Sequence, residues 1–382
     1  MAEFAFDDEQ LQLRAAVRRF AADNFGEAAA RRLMESGEVF DVAVWRRLGS
    51  ELGVLGMSVP EAAGGVGGSL VDQAVAVEEF GAALAGGPLF GTVYLAIPAL
   101  AACPAGPARD ELLGALIEGQ RTAAFAVADI AGTFDPDRVA VTVEEGTLTG
   151  TAGRVVDATA ADVILVAARG SDGVGLYAVD AGDTERTPLV TMDLSRPQAD
   201  VAFDRAPARL LAGPDDTGRV ITHALQVGAA LLAIEQIGAA QHLLDLSVEY
   251  AKSRLQFGRQ IGSFQAIKHR LADMLVDLEH ARSTAYHAVW ALTDGSDDPA
   301  LAASIAQATC SAAFSRIAAD TIQVHGGIGF TWEHQAHLYF KRAATDAALL
   351  GSAEQHRSRV AELVLDNAVA HSGAVTVATG RP

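Results

Sequence analysis

From residue 7 to about 120 the apolar positions fall at helical intervals: Leu11, Ala15, Val17 and Phe20 are spaced for one buried face, and Ala-rich stretches follow Gly68. One turn-rich stretch interrupts them, Ser58-Val59-Pro60-Glu61 running into Gly64-Gly65-Val66-Gly67-Gly68. From Arg121 to about Pro214 the pattern changes. Short β-branched runs at 139–143 and 163–166 alternate with turns at Glu145-Gly146 and Ser171-Asp172-Gly173, which predicts a compact β domain. Beyond Asp215 long helices are predicted over 217–253, 265–293, 299–324 and 345–369. In the second of these Leu271, Met274, Leu275 and Leu278 form an inward stripe, while Asp273, Asp277 and Glu279 are placed for solvent. Gly326-Gly327 ends the third as a helix cap would. The expected units are a helical domain over 1–120, a β domain over 121–214, a helical bundle over 215–371 and a short, polar, flexible tail over 372–382. There is no internal repeat.

Composition narrows the function classes. The 382 residues, half of them hydrophobic, can build a large core shared among two or three domains. A formal net charge of -19 argues against a nucleic acid or an anionic membrane as partner, since both carry the same sign. Cys103 and Cys310 are far apart and lack metal-ligand spacing, so neither a disulfide framework nor a metal site is expected. The opening Met1-Ala2-Glu3, followed by Asp7-Asp8-Glu9, has no positive start for an export signal, and a cytoplasmic location is the expectation. Residues 81–108 carry no charge, yet Pro88, Pro98, Pro104 and Pro107 break them, so they read as buried helices and turns and not as a membrane span.

Two stretches carry candidate chemistry. In Tyr250-Ala-Lys-Ser-Arg254-Leu-Gln256-Phe257-Gly258-Arg259-Gln260, continuing to Phe264-Gln265, a helix ends near Gly258 with Lys252, Arg254 and Arg259 close together. Such a cluster on an acidic protein offers a phosphate site, with Phe257 and Phe264 available to stack on a ring. It is equally what an exposed basic helix end opposing the macrodipole looks like. The second stretch is Gln323-Val324-His325-Gly326-Gly327-Ile328-Gly329-Phe330-Thr331-Trp332-Glu333-His334, whose glycines let backbone amides approach a pyrophosphate, or form a plain turn between helices. Neither this nor the 64–68 glycines is a dinucleotide fingerprint, because the strand-turn-helix context is missing.

Together these stretches resemble the acyl-CoA dehydrogenase family, as do Val59-Pro60-Glu61 with Gly64-Gly65 and the order of domains, so the resemblance covers nearly the whole chain. It implies an α+β fold with an N-terminal helical domain, a middle β-barrel-like domain and a C-terminal four-helix bundle. It also implies a flavoprotein that takes two hydrogens from an acyl-CoA thioester to give the 2,3-enoyl-CoA: a carboxylate accepts the α-proton and the flavin accepts the β-hydrogen. By position Arg254, Gln256 and Phe257 would reach the FAD of a neighbouring subunit. Gln323, Val324, His325, Gly326 and Gly327 would hold its adenosine diphosphate part, with Gln265 nearby. A dimer or a dimer of dimers, and an acceptor such as an electron-transfer flavoprotein, follow from the same resemblance.

Departures from the family pattern fall at the reacting end. Where the family has a Thr-Glu-Pro-x-x-Gly-Ser-Asp type segment, this chain reads Phe125-Ala126-Val127-Ala128-Asp129-Ile130-Ala131-Gly132-Thr133, and the later Lys-x-aromatic-Ile-Thr-Asn segment appears as Arg154-Val155-Val156-Asp157. Both carboxylate positions used in the family are empty: Leu350 precedes Gly351-Ser352, and Gly228-Ala229 stand at the other. Glu235, Asp346 and Glu354 are the nearby substitutes, each also readable as an ordinary helix residue. The chain resembles actinobacterial members, including those acting on steroid side chains, that work as heterotetramers with the base on one subunit. A catalytic subunit, a non-catalytic structural partner completing a homologue's FAD site, and a flavin-independent acyl-CoA binder are the three readings.

Overall fold

The computed structural model describes residues 6–127, 129–130, 133–295 and 297–372, with side chains described except at 129–130 and 366–372. The N-terminal helices are α1 (Asp8–Asn24), α2 (Glu27–Ser36), α3 (Val42–Ser50), α4 (Leu70–Ala82), a π-helix Leu89–Ala96, α5 (Ile97–Ala102) and α6 (Pro107–Ile117). Local chemistry starts them. Asp7 with Gln10, and Ser69 with Asp72, form reciprocal capping boxes, and Asp41 accepts from the first amides of α3. On α1 the inward stripe is Leu13, Val17, Phe20 and Ala21, whereas Leu11 and Ala15 are exposed. The expected face was rotated, because Arg14 also points inward, to Glu78 at 2.6 Å.

The strands are β1 (Ala123–Ala126), β2 (Asp129–Ile130), β3 (Thr133–Phe134), β4 (Thr142–Glu144), β5 (Thr147–Val156), β6 (Val163–Gly170), β7 (Gly173–Asp180), β8 (Glu185–Pro188), β9 (Gln198–Pro207) and β10 (Arg209–Ala212). Apart from the β2-β3 pair they form one sheet in the order β10-β7-β6-β4-β5-β9-β8, with β1 parallel to β6. Period-two alternation places Val163, Leu165 and Ala167 of β6 against the helical core and Ile164, Val166 and Ala168 in a core of the sheet's own. The β4-β5 turn falls at Glu145-Gly146, both at positive φ as a two-residue hairpin requires.

The C-terminal elements are α7 (Pro214–Ser253), a hairpin of β11 (Leu255–Gln256) and β12 (Arg259–Gln260), α8 (Gln265–Asp294), α9 (Pro299–His325), α10 (Ala336–Asp346) and α11 (Ala353–Ser372). Three expectations need correction. The helix before Arg254 stops at Ser253, where the predicted 217–253 span ends, and does not run on to near Gly258; Phe257-Gly258 form the tip of a two-residue hairpin, with φ of 52° and 76°. The predicted 345–369 helix is two helices broken at 347–352, because Leu350 and Gly351 take positive φ and Ser352 with Gln355 caps α11 reciprocally. Met274 and Leu278 are buried as expected, but Leu275 is exposed beside Val276. Gly132 of the divergent 125–133 segment lies outside the described residues; of the expected tail only Ser372, the last residue of α11, lies within them.

Among the described residues α7 alone is long and apolar enough to cross a membrane, and 83% of its most apolar window is buried inside the protein. It packs on α4, α8 and α9. At the α4 crossing the two backbones touch: a Cβ on Gly81 would lie 2.1 Å from the Glu235 carbonyl oxygen, and one on Gly238 would lie 1.9 Å from that of Glu78. α4 is held in place there, fastened to α1 by Arg18 on Glu79 at 2.8 Å and to α8 by Tyr286 donating to Glu78 at 2.6 Å. Gly238→Ala should therefore destabilise the chain by about 3 kcal/mol, despite the better helix propensity of Ala. A lowered urea midpoint for G238A checks this, with Gly218→Ala, which has open space around its Cβ, as the control that should not lose stability.

Candidate active site

A cavity of about 950 Å³ opens where the three units meet. Phe90, Gly91 and Leu95 of the π-helix, Phe125 and Val127 at the end of β1, residues 151–156 of β5, Leu225 of α7 and residues 348–351 line it. Two local features shape it. A π-helix is wider than an α-helix and is a common marker of functional sites; here it sets Gly91 against β1, where a Cβ would lie 2.7 Å from the Ala123 carbonyl oxygen. In β5 the register shifts between Ala152 and Val155, and Arg154 takes φ 56° with its amide donating to Asp200 at 2.8 Å. This bulge turns residues 154–156 toward the cavity.

Gly228 and Leu350, the two positions at which the resemblance leads one to expect a carboxylate, lie close together beside this cavity. A Cβ on Gly228 would lie 2.5 Å from Leu95 Cδ2 and 3.4 Å from Leu350 Cδ1. The 347–352 turn that presents Leu350 is tied down: Gln307 donates to the Leu349 carbonyl at 3.2 Å, and the His356 ring bonds the Leu350 carbonyl at 2.8 Å. Burial holds His356 below its ordinary pKa, so it stays neutral and donates. Leu95 and Leu350 thus fill the space a carboxylate would need. Asp157 is buried nearby, accepting from the Gly91 amide at 2.8 Å, and burial raises its pKa to about 6.

None of the three substitute carboxylates is free in this wall. Glu354 is exposed. Glu235 and Asp346 belong to a buried ion network that the sequence reading missed. Arg196 reaches Asp346 at 2.5 Å and Glu235 at 2.6 Å; Arg342 reaches Glu235 at 2.7 Å, Asp193 at 2.7 Å and Ser195 Oγ at 2.8 Å; Tyr94 donates to Glu235 at 2.9 Å. Arg342 and Asp346 stand four apart on a helix, which in a sequence looks like a surface pair; only the fold brings Arg196 from the β8-β9 connection.

The nine residues matched to a cofactor line none of the 950 Å³ cavity. They form a separate outer surface. Arg254, Gln256, Phe257, Gln265, Gln323, Gly326 and Gly327 are exposed, while Val324 and His325 turn their side chains inward and can offer only backbone. Tyr250 stacks on His325 at 4.4 Å, so the end of α7 and the glycine turn lie side by side. Lys252 pairs with Glu249 and Arg259 lies over the Phe264 ring, but the Arg254 guanidinium has no partner among the described residues. Phe257 is 91% exposed, with Leu255, Leu275, Val276, Ile328 and Phe330 exposed as well.

The network has three carboxylates, Asp193, Glu235 and Asp346, for two guanidiniums, Arg196 and Arg342. Burial works against every charge in it, but the two guanidiniums outweigh burial at Glu235 and hold that carboxyl down. At Asp346, whose Oδ2 is buried without a partner, burial wins and raises the carboxyl from 3.8 to about 7. The folded chain therefore keeps a proton that the unfolded chain has released above about pH 4, so this group's contribution to stability falls as pH rises from about 4 to 7. Asp346→Asn should flatten that fall. Urea midpoints measured between pH 5 and pH 8 check it: the native chain loses stability over that interval more steeply than D346N.

The family model for the acyl-CoA dehydrogenase N-terminal domain matches residues 7–120, and that for the C-terminal domain matches residues 216–365. Acyl-CoA dehydrogenase IpdE2 of Mycobacterium tuberculosis (strain ATCC 25618 / H37Rv) is 37% identical over 352 residues, covering 90% of this chain and 94% of that protein. A solved steroid ACAD, a variant of Tcur3481-Tcur3483, is 30% identical with a TM-score of 0.83, covering 95% of this chain and 99% of that one. The ChsE4-ChsE5 complex from Mycobacterium tuberculosis has the same TM-score and coverage at 28% identity. The chain belongs to the acyl-CoA dehydrogenase family, oxidoreductases that act on CH–CH bonds with FAD.

Proposed function

We propose that this chain is one subunit of a heteromeric acyl-CoA dehydrogenase: it completes an FAD site, and a homologous subunit supplies the carboxylate that takes the α-proton. The observation that carries this reading is the apolar wall, where Leu95 and Leu350 occupy the space around Gly228. The residues present fit FAD. Arg254 is an exposed cation without a partner among the described residues, and a Cβ on Gly326 or Gly327 would meet nothing within 4 Å, so a ligand can approach the backbone of this turn closely. When bound, FAD supplies the acceptor for the β-hydrogen. Arg254 would neutralise a phosphate, Phe257 would cover a ring, and Gln256, Gln265 and Gln323 would fix orientation by amide hydrogen bonds. Because these residues lie outside the large cavity, the cofactor they hold would sit against a neighbouring subunit. The exposed apolar side chains of α8 and of the glycine turn support such an interface. The steroid ACAD favours a bulky, steroid-derived acyl group, and the two-component ChsE4-ChsE5 complex favours a paired homologue. An electron-transfer flavoprotein is the proposed electron acceptor.

Arg254→Ala should weaken FAD retention roughly 10- to 100-fold, the worth of a charge-assisted contact of about 1.5–3 kcal/mol, while Lys252→Ala leaves it unchanged. Flavin absorbance per chain in the purified assembly is the readout. Purified alone, the chain should fail to bleach flavin on anaerobic addition of an acyl-CoA, whereas co-expression with a homologue bearing Glu at either empty position should give a mixed oligomer with about one FAD per two chains that does bleach. Ordinary turnover by the lone chain would sink the proposal, since losing a general base typically costs about 10²–10⁴-fold in rate.

A further inference from the structure

Between α9 and α10 the chain makes the glycine turn and a short link, residues 326–335, and three histidines bracket it: His325, His334 and His337. Their ring nitrogens are committed in ways that leave no place for an added proton. His325 Nδ1 donates to the Thr321 carbonyl at 2.8 Å, and its Nε2 is buried with no partner among the described residues. His337 Nε2 is buried without a partner in the same way. His334 uses Nδ1 as an acceptor, for the amide of Ala336, the first residue of α10, at 3.2 Å.

A protonated imidazole carries hydrogen on both nitrogens. On His325 and His337 the Nε2 hydrogen would lie buried with no acceptor; on His334 the Nδ1 hydrogen would end the bond from Ala336 and set a cation at the positive end of α10. His325 and His334 lie 4.4 Å apart, so a charge on one opposes a charge on the other. The packed elements offer little relief. Arg31 of α2 and Lys341 of α10 both lie over Trp332, which stacks on His337 at 4.7 Å, and Glu27 is already paired with Arg31 at 2.7 Å. From α7, Tyr250 stacks on His325 and His242 bonds Gln335 at 3.0 Å, with Asp245 near His242; Glu333, on the link itself, is exposed. The C-terminal end of α9 draws a cation to His325, but burial outweighs it. All three rings are held below their ordinary value of 6.5, chiefly by burial. An opened ring titrates near 6.5, so the closed turn has its full stability above about pH 6.5 and loses it as the pH falls below.

We propose that residues 326–335 form an acid-opened latch: protonation of His325, His334 and His337 detaches this segment from α7 and releases the cofactor half that the glycine turn would hold. The release rests on the flavin reading above; the opening does not. Each histidine that closure keeps neutral raises the opening constant by up to about tenfold between pH 7.5 and pH 5.5, and three raise it by up to about 10³-fold. Hydrogen exchange read by mass spectrometry on the full chain checks this. Protection factors for 326–335, which allow for the intrinsic pH dependence of exchange, should fall about tenfold or more over that interval, while those for 225–240 in α7 do not fall in step. The variant H325N/H334N/H337N, whose amides donate or accept in place of Nδ1 without titrating, should show no acid opening. Because that variant could lose structure at every pH, the histidine rings of the native chain are also titrated by NMR, and these three should titrate below 6.5. Flavin loss from the native assembly, followed by fluorescence, should track the exchange. Unchanged protection of 326–335, a fall shared by 225–240, or ordinary pKa values for the three rings would overturn the latch. Flavin retained at pH 5.5 by an assembly whose turn has opened would overturn the release. An assembly without flavin at pH 7.5 would contradict the cofactor reading and the release with it, and exchange then decides the opening by itself.

Discussion

Two guanidiniums and three carboxylates, all but sealed from water, hold the functional end of this molecule in register. Removing ions from water costs several kcal/mol each, and breaking one buried pair typically costs about 3–5 kcal/mol, so the network tolerates one arrangement of its elements. Those elements are far apart in the chain. Tyr94 comes from the π-helix, Asp193, Ser195 and Arg196 from the β8-β9 connection, Glu235 from α7, and Arg342 and Asp346 from α10. Leu95 and Gly228 lie on two of these elements, one residue and about two turns from their anchors, and Leu350 lies in the turn after α10, four residues from Asp346. The network therefore fixes the wall that Leu95, Gly228 and Leu350 form.

That wall separates two kinds of work. Inside it, the cavity is shaped by a π-helix, a strand bulge and a pinned turn, and Leu95 and Leu350 make the wall around Gly228 apolar. Outside it, the hairpin tip and the glycine turn present a cation without a partner among the described residues, uncrowded glycines and exposed rings. A protein that kept both functions in one subunit would need a base among the cavity's walls. On the proposed reading, this chain keeps the outer surface, has leucine at the inner position and takes the base from an assembled partner.

Much of this was legible in the sequence, for physical reasons. Long periodic segments marked α7, α8 and α9 nearly to their ends, and the two empty carboxylate positions could be counted from Tyr250 and Gly351 before their meeting across Leu95 was visible. Elsewhere the signal was local and small. The α10-α11 break rests on Ser352 and Gln355 forming a capping box after a left-handed Leu350, inside a stretch that otherwise reads as one helix. Leu11 and Leu275 fit an inward stripe by spacing yet are exposed, because Arg14 claims the inner face of α1 and the outer face of α8 is left apolar. The ion network was invisible because charged residues are normally placed at the surface, and only tertiary structure brings Arg196 to Glu235.

The central claim is that this chain holds no base for the α-proton, and hydrogen exchange tests it without relying on redox turnover. The purified chain, alone and then assembled with a Glu-bearing homologue, would be incubated with butyryl-CoA and with a steroid-side-chain acyl-CoA in D₂O, and deuterium at the α-carbon read by mass spectrometry. The account predicts incorporation at the buffer rate for the chain alone and faster incorporation by the assembly. Rapid α-deuteration by the chain alone would contradict it.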